Sequence, residues 1–238
     1  KVGSPVTDLN AGILAALGIV SAYVHRLKTG QGQFVDTSLL EAGIHQTAWQ
    51  AAIFFATGEP PGPGGSAHVM AAPYQAFPTS DGWITIGGAN QANWERIARL
   101  VGAPELIADP RFVDNSARMA NREQLAWLLG EHLRQRPTAE WLQKLDDAGI
   151  PAGPITDIEA MANDPQTLAR EMVVDLQHPV AGATKALGLP IKLGATPGGV
   201  RRPAPTYGQH TREVLGEAGF SDAEIGALHA QGAIHAPE

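Results

Sequence analysis

Residues 7–33 read TDLNAGILAALGIVSAYVHRLKTGQGQ, and this stretch guides the interpretation of the whole chain. Its apolar residues recur at the three- and four-residue spacing of an α-helix, at Leu9, Ile13, Leu14, Leu17, Val20, Val24 and Leu27. Thr7 or Asp8 suits the N-cap, and the glycines of Thr29-Gly30-Gln31-Gly32 suit a helix end. The spacing therefore predicts a buried helix from Asp8 to about Lys28.

The composition excludes several classes of protein. The chain has 238 residues, 44% of them hydrophobic, so it can bury a core and is not wholly disordered. Lys and Arg number 17 against 24 Asp and Glu, without a basic run, which argues against nucleic-acid binding. The absence of cysteine excludes a thiol nucleophile and a zinc–thiolate site, and the histidines lack the spacing of a metal site.

The same features predict a location. Polar residues such as Asn10, His25 and Arg26 interrupt the first helix, so no apolar stretch reaches the roughly 18–20 residues that span a bilayer. The first residues lack the layout of a signal peptide. A cysteine-free chain is compatible with a reducing compartment. We therefore expect a cytoplasmic protein without a membrane partner.

The remaining pattern alternates short helices and strands. Residues 58–66 (GEPPGPGGS) cannot be regular structure and form a linker or a functional loop. Residues 62–68, which end at His68, are either a mobile lid over a site or plain linker. The other predicted elements are a strand at 33–38, a helix at 39–57, a hairpin turning at Asp81-Gly82, helices at 91–101, 121–135 and 138–148 (capped by Thr138), short helices opening at 157 and 164, strands at 172–177 and 189–193, and helices at 209–217 and 221–231.

Asp8 has two possible roles. An aspartate is a favoured N-cap, which is the commoner reason to find one at a helix start. The positive end of the helix dipole also keeps such a carboxylate ionised, as a nucleophilic carboxylate needs. The sequence has no GxGxxG after a strand, no GxxxxGK[ST], no HExxH and no GxSxG, so the common nucleotide-binding and hydrolase motifs offer no alternative.

Several motifs in order resemble the family III CoA-transferases (the CaiB/BaiF family). They are Thr7-Asp8-Leu9-Asn10-Ala11-Gly12, Gly18-Ile19, His25-Arg26 with Thr29-Gly30-Gln31-Gly32-Gln33, Pro73-Tyr74-Gln75-Ala76-Phe77, Asp81-Gly82-Trp83-Ile84, Gly149-Ile150-Pro151-Ala152-Gly153-Pro154-Ile155, His178-Pro179 and Gly208-Gln209-His210-Thr211. The resemblance implies an α/β fold, with part of a Rossmann-like large domain plus a small α+β domain, in interlocked homodimers.

The resemblance also implies a domain plan and a set of site residues. Residues 1–58 would belong to the large domain, 59–72 form the linker or lid loop, 73–170 form the small domain and 171–238 return to the large domain. Asp8 lies where the family has its catalytic aspartate. Gly64 and Gly65 fall at the family's glycine loop, and Leu39 falls beside the acyl thioester. Coenzyme A would be a substrate rather than a bound cofactor.

The implied reaction moves CoA from an acyl-CoA to a carboxylic acid through anhydride and thioester intermediates on Asp8. The segments Tyr74-Gln75-Ala76-Phe77, the loop of His68 and Gly208-Gln209-His210 resemble those of members that use succinyl-CoA with dicarboxylic acids. A related branch, the α-methylacyl-CoA racemases, has a Glu in the segment that resembles Gly87-Gly88-Ala89-Asn90. Asn90 cannot exchange a proton as a carboxylate does, which favours the transferase.

The length differs from that of the family. Family members have a nucleotide-binding half before the catalytic aspartate, and Asp8 is the eighth residue of this chain. We expect that half to have been cleaved or truncated, or to lie on another chain, so that the partner is a second copy or a complementary half. A non-catalytic piece that works only by assembly is the third hypothesis.

Overall fold

The apolar stretch at the start forms the long helix α1 (Val6–Thr29) in a computed structural model that describes residues 2–88 and 90–237. The helix ends where Gly30 adopts φ 77° and its N–H donates to Arg26 O at 2.8 Å. The predicted helix is confirmed, but its predicted burial is wrong. None of its residues is buried, and Leu9, Ile13 and Leu17 are each more than 60% exposed.

The exposure of α1 arises because little of the described chain packs against it. Helix α2 (Leu39–Gln46) contacts its first turn, and Val35 contacts its middle. A Cβ on Gly18 would lie 2.8 Å from Val35 Cγ1, so this contact requires glycine. By length and composition α1 could span a membrane, with a mean hydropathy of 1.4, but core helices of soluble proteins meet the same criterion.

The segment after α1 differs from its prediction at two points. Residues 33–38 form no strand, because no neighbouring segment in the described residues offers them a ladder of hydrogen bonds. The predicted helix 39–57 is two helices, α2 and α3 (Ala48–Thr57). Thr47 separates them, and its hydroxyl donates to Ile44 O at 2.8 Å. Helix α3 ends at Gly58, with φ 75°.

The described core of the first compact unit (Lys1–Pro154) lies almost wholly between residues 72 and 150. Its elements are strands β1 (Tyr74–Pro78), β2 (Trp83–Gly87) and β3 (Ala152–Pro154), helices α4 (Gln91–Leu100), α5 (Asn115–Ala120), α6 (Arg122–Leu133) and α7 (Thr138–Asp147), and a 3-10 helix (Pro104–Ile107). The strands form one antiparallel sheet in the order β1-β2-β3. Phe77 and Ile84 face each other across the predicted hairpin, which is confirmed, and both are buried.

The second unit (Ile155–Glu238) contains short elements with little buried surface. They are α8 (Ile158–Asn163), α9 (Pro165–Ala169), β4 (Val173–His178), β5 (Gly182–Leu187), α10 (Thr211–Glu217) and α11 (Asp222–Ala230). The strand predicted at 189–193 is wrong, because β4 turns at residues 179–181 and pairs with β5 instead. Pro190 also lacks the N–H that a ladder needs.

Arg118 is a polar centre inside the core of the first unit. Its side chain is buried, and Nε donates to Ala72 O at 2.6 Å, while Nη1 donates to Gln91 Oε1 at 2.9 Å and to Phe112 O at 3.0 Å. The guanidinium also lies 5.4 Å from the centre of the Trp94 ring. Burial lowers the pKa of Arg118, and the charge of Asp114 partly opposes that shift. One side chain therefore joins three separate segments.

Asp81 links the hairpin turn to the start of α7. Its Oδ1 accepts hydrogen bonds from Thr138 N at 2.8 Å and Thr138 Oγ1 at 2.9 Å. The prediction that Thr138 caps α7 is wrong, because Thr138 is the first residue of the helix. Asp81, which is 57 residues earlier in the chain, accepts the hydrogen bond from the Thr138 amide instead. These bonds from Thr138 stabilise the carboxylate and lower the pKa of Asp81.

Replacement of Arg118 should destabilise the first unit strongly. Arg118→Met would leave the carbonyls of Ala72 and Phe112 buried without donors, at a cost of about 3 kcal/mol. Arg118→Lys should cost less, because an ammonium group restores one of the contacts. The urea unfolding midpoint measures both, and Arg134→Met, which removes only an exposed pair with Glu131, is the matched control. An unchanged midpoint in Arg118→Met would contradict this role.

The Asp81 contacts should make stability depend on pH. Because the folded-state pKa lies below the ordinary value of 3.8, the stabilisation is complete above about pH 4 and is lost as pH falls through the lower pKa. Asp81→Asn should therefore lose less stability than the wild type between about pH 5 and pH 2. Urea midpoints across this range measure the difference, with Asp146→Asn on α7 as the control. Parallel curves for Asp81→Asn and wild type would refute the assignment.

Candidate active site

Asp8 lies in the first turn of α1 and is exposed. Pro5 is the N-cap residue, and no side chain caps the helix, so the prediction that Thr7 or Asp8 is the cap is wrong. The helix begins two residues earlier than expected, because the restricted φ of Pro5 is compatible with a helix start. The only hydrogen bond to the Asp8 carboxylate among the described residues comes from Thr7 Oγ1, at 3.1 Å. The carboxylate is therefore not used in capping.

Backbone amides of the first turn of α1 lie near Asp8. The first helical hydrogen bond of α1 runs from Leu9 N to Pro5 O at 3.1 Å, and amides earlier in a first turn have no partner within their own helix. These amides and the positive end of the helix dipole lie beside the carboxylate. Such donors can stabilise an oxyanion that forms next to Asp8.

Helix α2 packs directly against the turn that carries Asp8. A Cβ on Gly43 would lie 3.2 Å from Thr7 Cγ2, and Asn10 Nδ2 donates to Ala42 O at 3.5 Å. Leu39 is the first residue of α2, is 52% exposed, and lies about one helical turn before Gly43. The structure thus brings the helix of Leu39 against the helix of Asp8.

The Gly64-Gly65 segment forms a turn, with φ 58° at Gly65 and a hydrogen bond from Ala67 N to Gly64 O at 3.0 Å. Two hydrogen bonds attach the residues after this turn to β1, because Ala76 N donates to Ser66 Oγ at 3.1 Å and His68 N donates to Tyr74 O at 2.8 Å. Within residues 2–88 and 90–237, no hydrogen bond joins this turn to α1 or α2. The residues that follow the glycine turn are therefore attached to strand β1.

His68 was not among the predicted site residues, although its ring is held by two aromatic side chains. The Tyr74 ring is parallel to it, with centroids 5.0 Å apart, and the Trp49 ring meets it edge-on at 5.1 Å. Trp49 lies in α3 and Tyr74 in β1, so their meeting could not be read from the sequence. The sequence signals were that His68 ends the candidate lid at 62–68 and that its loop resembles that of dicarboxylate-using members.

Asn90, the residue on which the expected choice between transferase and racemase rests, caps α4. Its Oδ1 accepts a hydrogen bond from Asn93 N at 2.8 Å. Ala89, the third residue of that segment, lies outside the described residues. Over the described part of the chain, no three His, Cys, Asp or Glu side chains form a group that could hold a metal ion.

Comparison with known proteins identifies the relatives of this chain. A human protein named succinyl-CoA:glutarate CoA-transferase is 31% identical over 98% of this chain, and a Fusarium pseudograminearum protein named acyl-CoA transferase is 35% identical over 98%. These alignments cover 54% and 52% of the two relatives, so the chain spans about half the length of the curated proteins it matches.

Solved structures agree with this relationship. The crystal structure of a CaiB/BaiF family protein from Brucella suis superimposes with a TM-score of 0.78 at 34% identity, covering 91% of this chain and 56% of the other. Residues 1–211 match the family model described as CoA-transferase family III. The mixed α/β fold expected from the resemblance is confirmed by these matches, and the chain belongs to CoA-transferase family III.

Proposed function

We propose that the protein containing this chain transfers CoA from an acyl-CoA donor to a carboxylic acid acceptor, with Asp8 as the nucleophile. The observation that carries this proposal is an exposed carboxylate in the first turn of α1 that is not used as a cap. Membership of CoA-transferase family III supports the reaction class. Amides of the first turn that have no partner within the helix support a site where negative charge develops.

The proposed reaction consists of four acyl transfers. The Asp8 carboxylate attacks the thioester carbonyl of the donor, which forms a mixed anhydride and releases CoA thiolate. The thiolate then attacks the aspartyl carbonyl, which forms an aspartyl-CoA thioester and releases the donor acid. The acceptor carboxylate displaces CoA to form a second anhydride. The thiolate finally attacks the acceptor acyl carbonyl, so the new acyl-CoA leaves and the Asp8 carboxylate is restored.

Each anhydride in this scheme must be kept from water. We assign the Gly64-Gly65 turn to that task, because a turn without side chains can approach a bound thioester closely. Leu39, exposed at the start of α2, is assigned as an apolar contact for the acyl group. The basic residues that would bind the phosphates of CoA are assigned to the rest of the protein, because this chain carries a net charge of -7.

Dicarboxylic acids are the proposed substrate class. The human relative's name specifies succinyl-CoA and glutarate, and that alignment spans 98% of this chain. The alternative of a racemase requires a second group that exchanges a proton at the α-carbon. Asn90 lacks such a group and its side-chain oxygen is occupied in capping α4, which favours transfer over racemisation.

The exposed apolar face of α1 supports a partner. Leu9, Ile13 and Leu17 leave more apolar surface uncovered than an isolated soluble helix favours. We assign this surface to contact with the remaining half of the protein or with a second copy in a dimer. A non-catalytic role by assembly alone is the less favoured alternative, because Asp8 is present in the position of the family's nucleophile.

Asp8→Asn should abolish CoA exchange in the full-length protein. An amide cannot attack the thioester, so kcat should fall at least about a thousandfold while the circular dichroism spectrum and urea midpoint stay unchanged. Exchange between succinyl-CoA and labelled glutarate measures the rate. Asp146→Asn, which alters an exposed aspartate on α7, should keep wild-type activity. Retained turnover in Asp8→Asn would exclude Asp8 as the nucleophile.

A further inference from the structure

The His68 side chain has a defined protonation pattern as well as a fixed ring plane. Its Nδ1 accepts a hydrogen bond from Met70 N at 3.1 Å, so the neutral ring carries its proton on Nε2. Among the described residues no group bonds to Nε2, and the only buried side-chain nitrogen or oxygen without a partner is Trp94 Nε1. The Nε2–H of His68 is therefore an unused donor that solvent or a ligand can reach.

A second layer of contacts holds the residue that fixes this tautomer. Asn115 Nδ2 donates to Met70 O at 3.0 Å, and Ala72 N donates to Asn115 Oδ1 at 3.2 Å. Arg118, one turn further along α5, donates to Ala72 O at 2.6 Å. The segment that orients His68 is thus tied to the buried core. The His68 ring is not part of the hydrophobic core, yet several contacts fix its orientation. A polar side chain held in this way is typical of a binding residue.

Contacts through helices α2 and α3 connect His68 to the region of Asp8. Its neighbour Trp49 lies at the second position of α3, which comes directly after α2. Gly43 of α2 contacts Thr7, next to Asp8. Thr47 is the single residue between α2 and α3, so Gly43 and Trp49 lie on consecutive helices. The donor therefore lies in the same unit as Asp8, and the contacts that connect the two run through α2 and the start of α3.

We propose that His68 Nε2–H binds the distal carboxylate of a dicarboxylic substrate and selects dicarboxylic over monocarboxylic acids. This rests on the proposed function, in which the reacting carboxyl group must meet Asp8, so a donor one short helix away serves the other end. A carboxylate is a pure acceptor and matches the single N–H. The faces of Trp49 and Tyr74, which are 54% and 42% exposed, provide apolar surface for the methylene chain between the two ends.

The test compares two acids of equal chain length in the full-length protein. His68→Ala should lower kcat/KM for glutarate about 10- to 100-fold, mainly through KM, because a hydrogen bond to a charged group is lost. The inhibition constant of pentanoate, which has no distal carboxylate, should change less than about twofold. His68→Gln, which keeps an N–H donor, should recover part of the loss. His132→Ala on α6 is the control and should match the wild type.

Three results would overturn the proposal. Equal loss with both acids would show that His68 supports the loop rather than recognising a carboxylate, and unchanged kinetics with both would show that it has no role. A His68→Gln variant no better than His68→Ala would exclude the hydrogen bond. Failure of the proposed function is distinct from these, because wild-type protein would then exchange CoA with no carboxylic acid at all.

Asn115 should act as a positioning residue in the same recognition. Asn115→Ala frees Met70, so the selectivity for glutarate over pentanoate should fall by a smaller factor than in His68→Ala. The double variant should show no further loss of selectivity beyond His68→Ala, because both act through one donor. Additive losses of selectivity would contradict this coupling, whatever the effect of Asn115→Ala on the urea midpoint.

Discussion

The buried guanidinium of Arg118 is the contact on which the described structure most depends. It holds the carbonyls of Ala72 and Phe112 and the side chain of Gln91, so it joins the end of the glycine-rich loop to two helices of the small domain. A charge can stay buried in this way only when its donors are satisfied. Through Ala72 and Asn115, the same core determines how the His68 ring is presented. The contacts that stabilise the core thus also fix the orientation of the His68 ring in the loop.

The first three helices differ from the rest of the first unit in how little of their surface is buried. They bury only Ala42 within the described chain, whereas residues 72–150 form a core of their own. Helix α1 has no buried residue, and it carries the carboxylate that we propose as the nucleophile. Because Pro5 begins α1 early, Asp8 lies inside the first turn rather than at the cap, and among the described residues its carboxylate accepts a hydrogen bond only from Thr7 Oγ1. Had Asp8 been the N-cap residue, its carboxylate would cap the helix; because α1 begins at Val6, the carboxylate remains available as a nucleophile.

The sequence predicted features that depend on local pattern and missed those that depend on distant partners. The periodicity of α1, the turn at Asp81-Gly82 and the helices predicted at 91–101, 121–135 and 138–148 are local, and all are confirmed, whereas the short helix α5 was not predicted. The strands at 33–38 and 189–193 failed because a strand exists only beside a partner. The cap of α7 comes from Asp81, 57 residues away, and no local pattern contains that information. His68 was missed for the same reason, because its ring is held by Trp49 and Tyr74 and, through Met70, by Asn115, all distant in sequence. The assignments of Leu39, Gly64 and Gly65 stay predictions from the family resemblance.

Covalent chemistry on Asp8 is the central claim, and intact and peptide mass spectrometry tests it most directly. The full-length protein is incubated with succinyl-CoA in the absence of an acceptor and quenched rapidly in acid. The account predicts CoA attached as a thioester to the peptide that carries Asp8, and release of that CoA as a new acyl-CoA when an acceptor acid is added. An adduct on any other residue, or turnover through a complex that never becomes covalent, would contradict it.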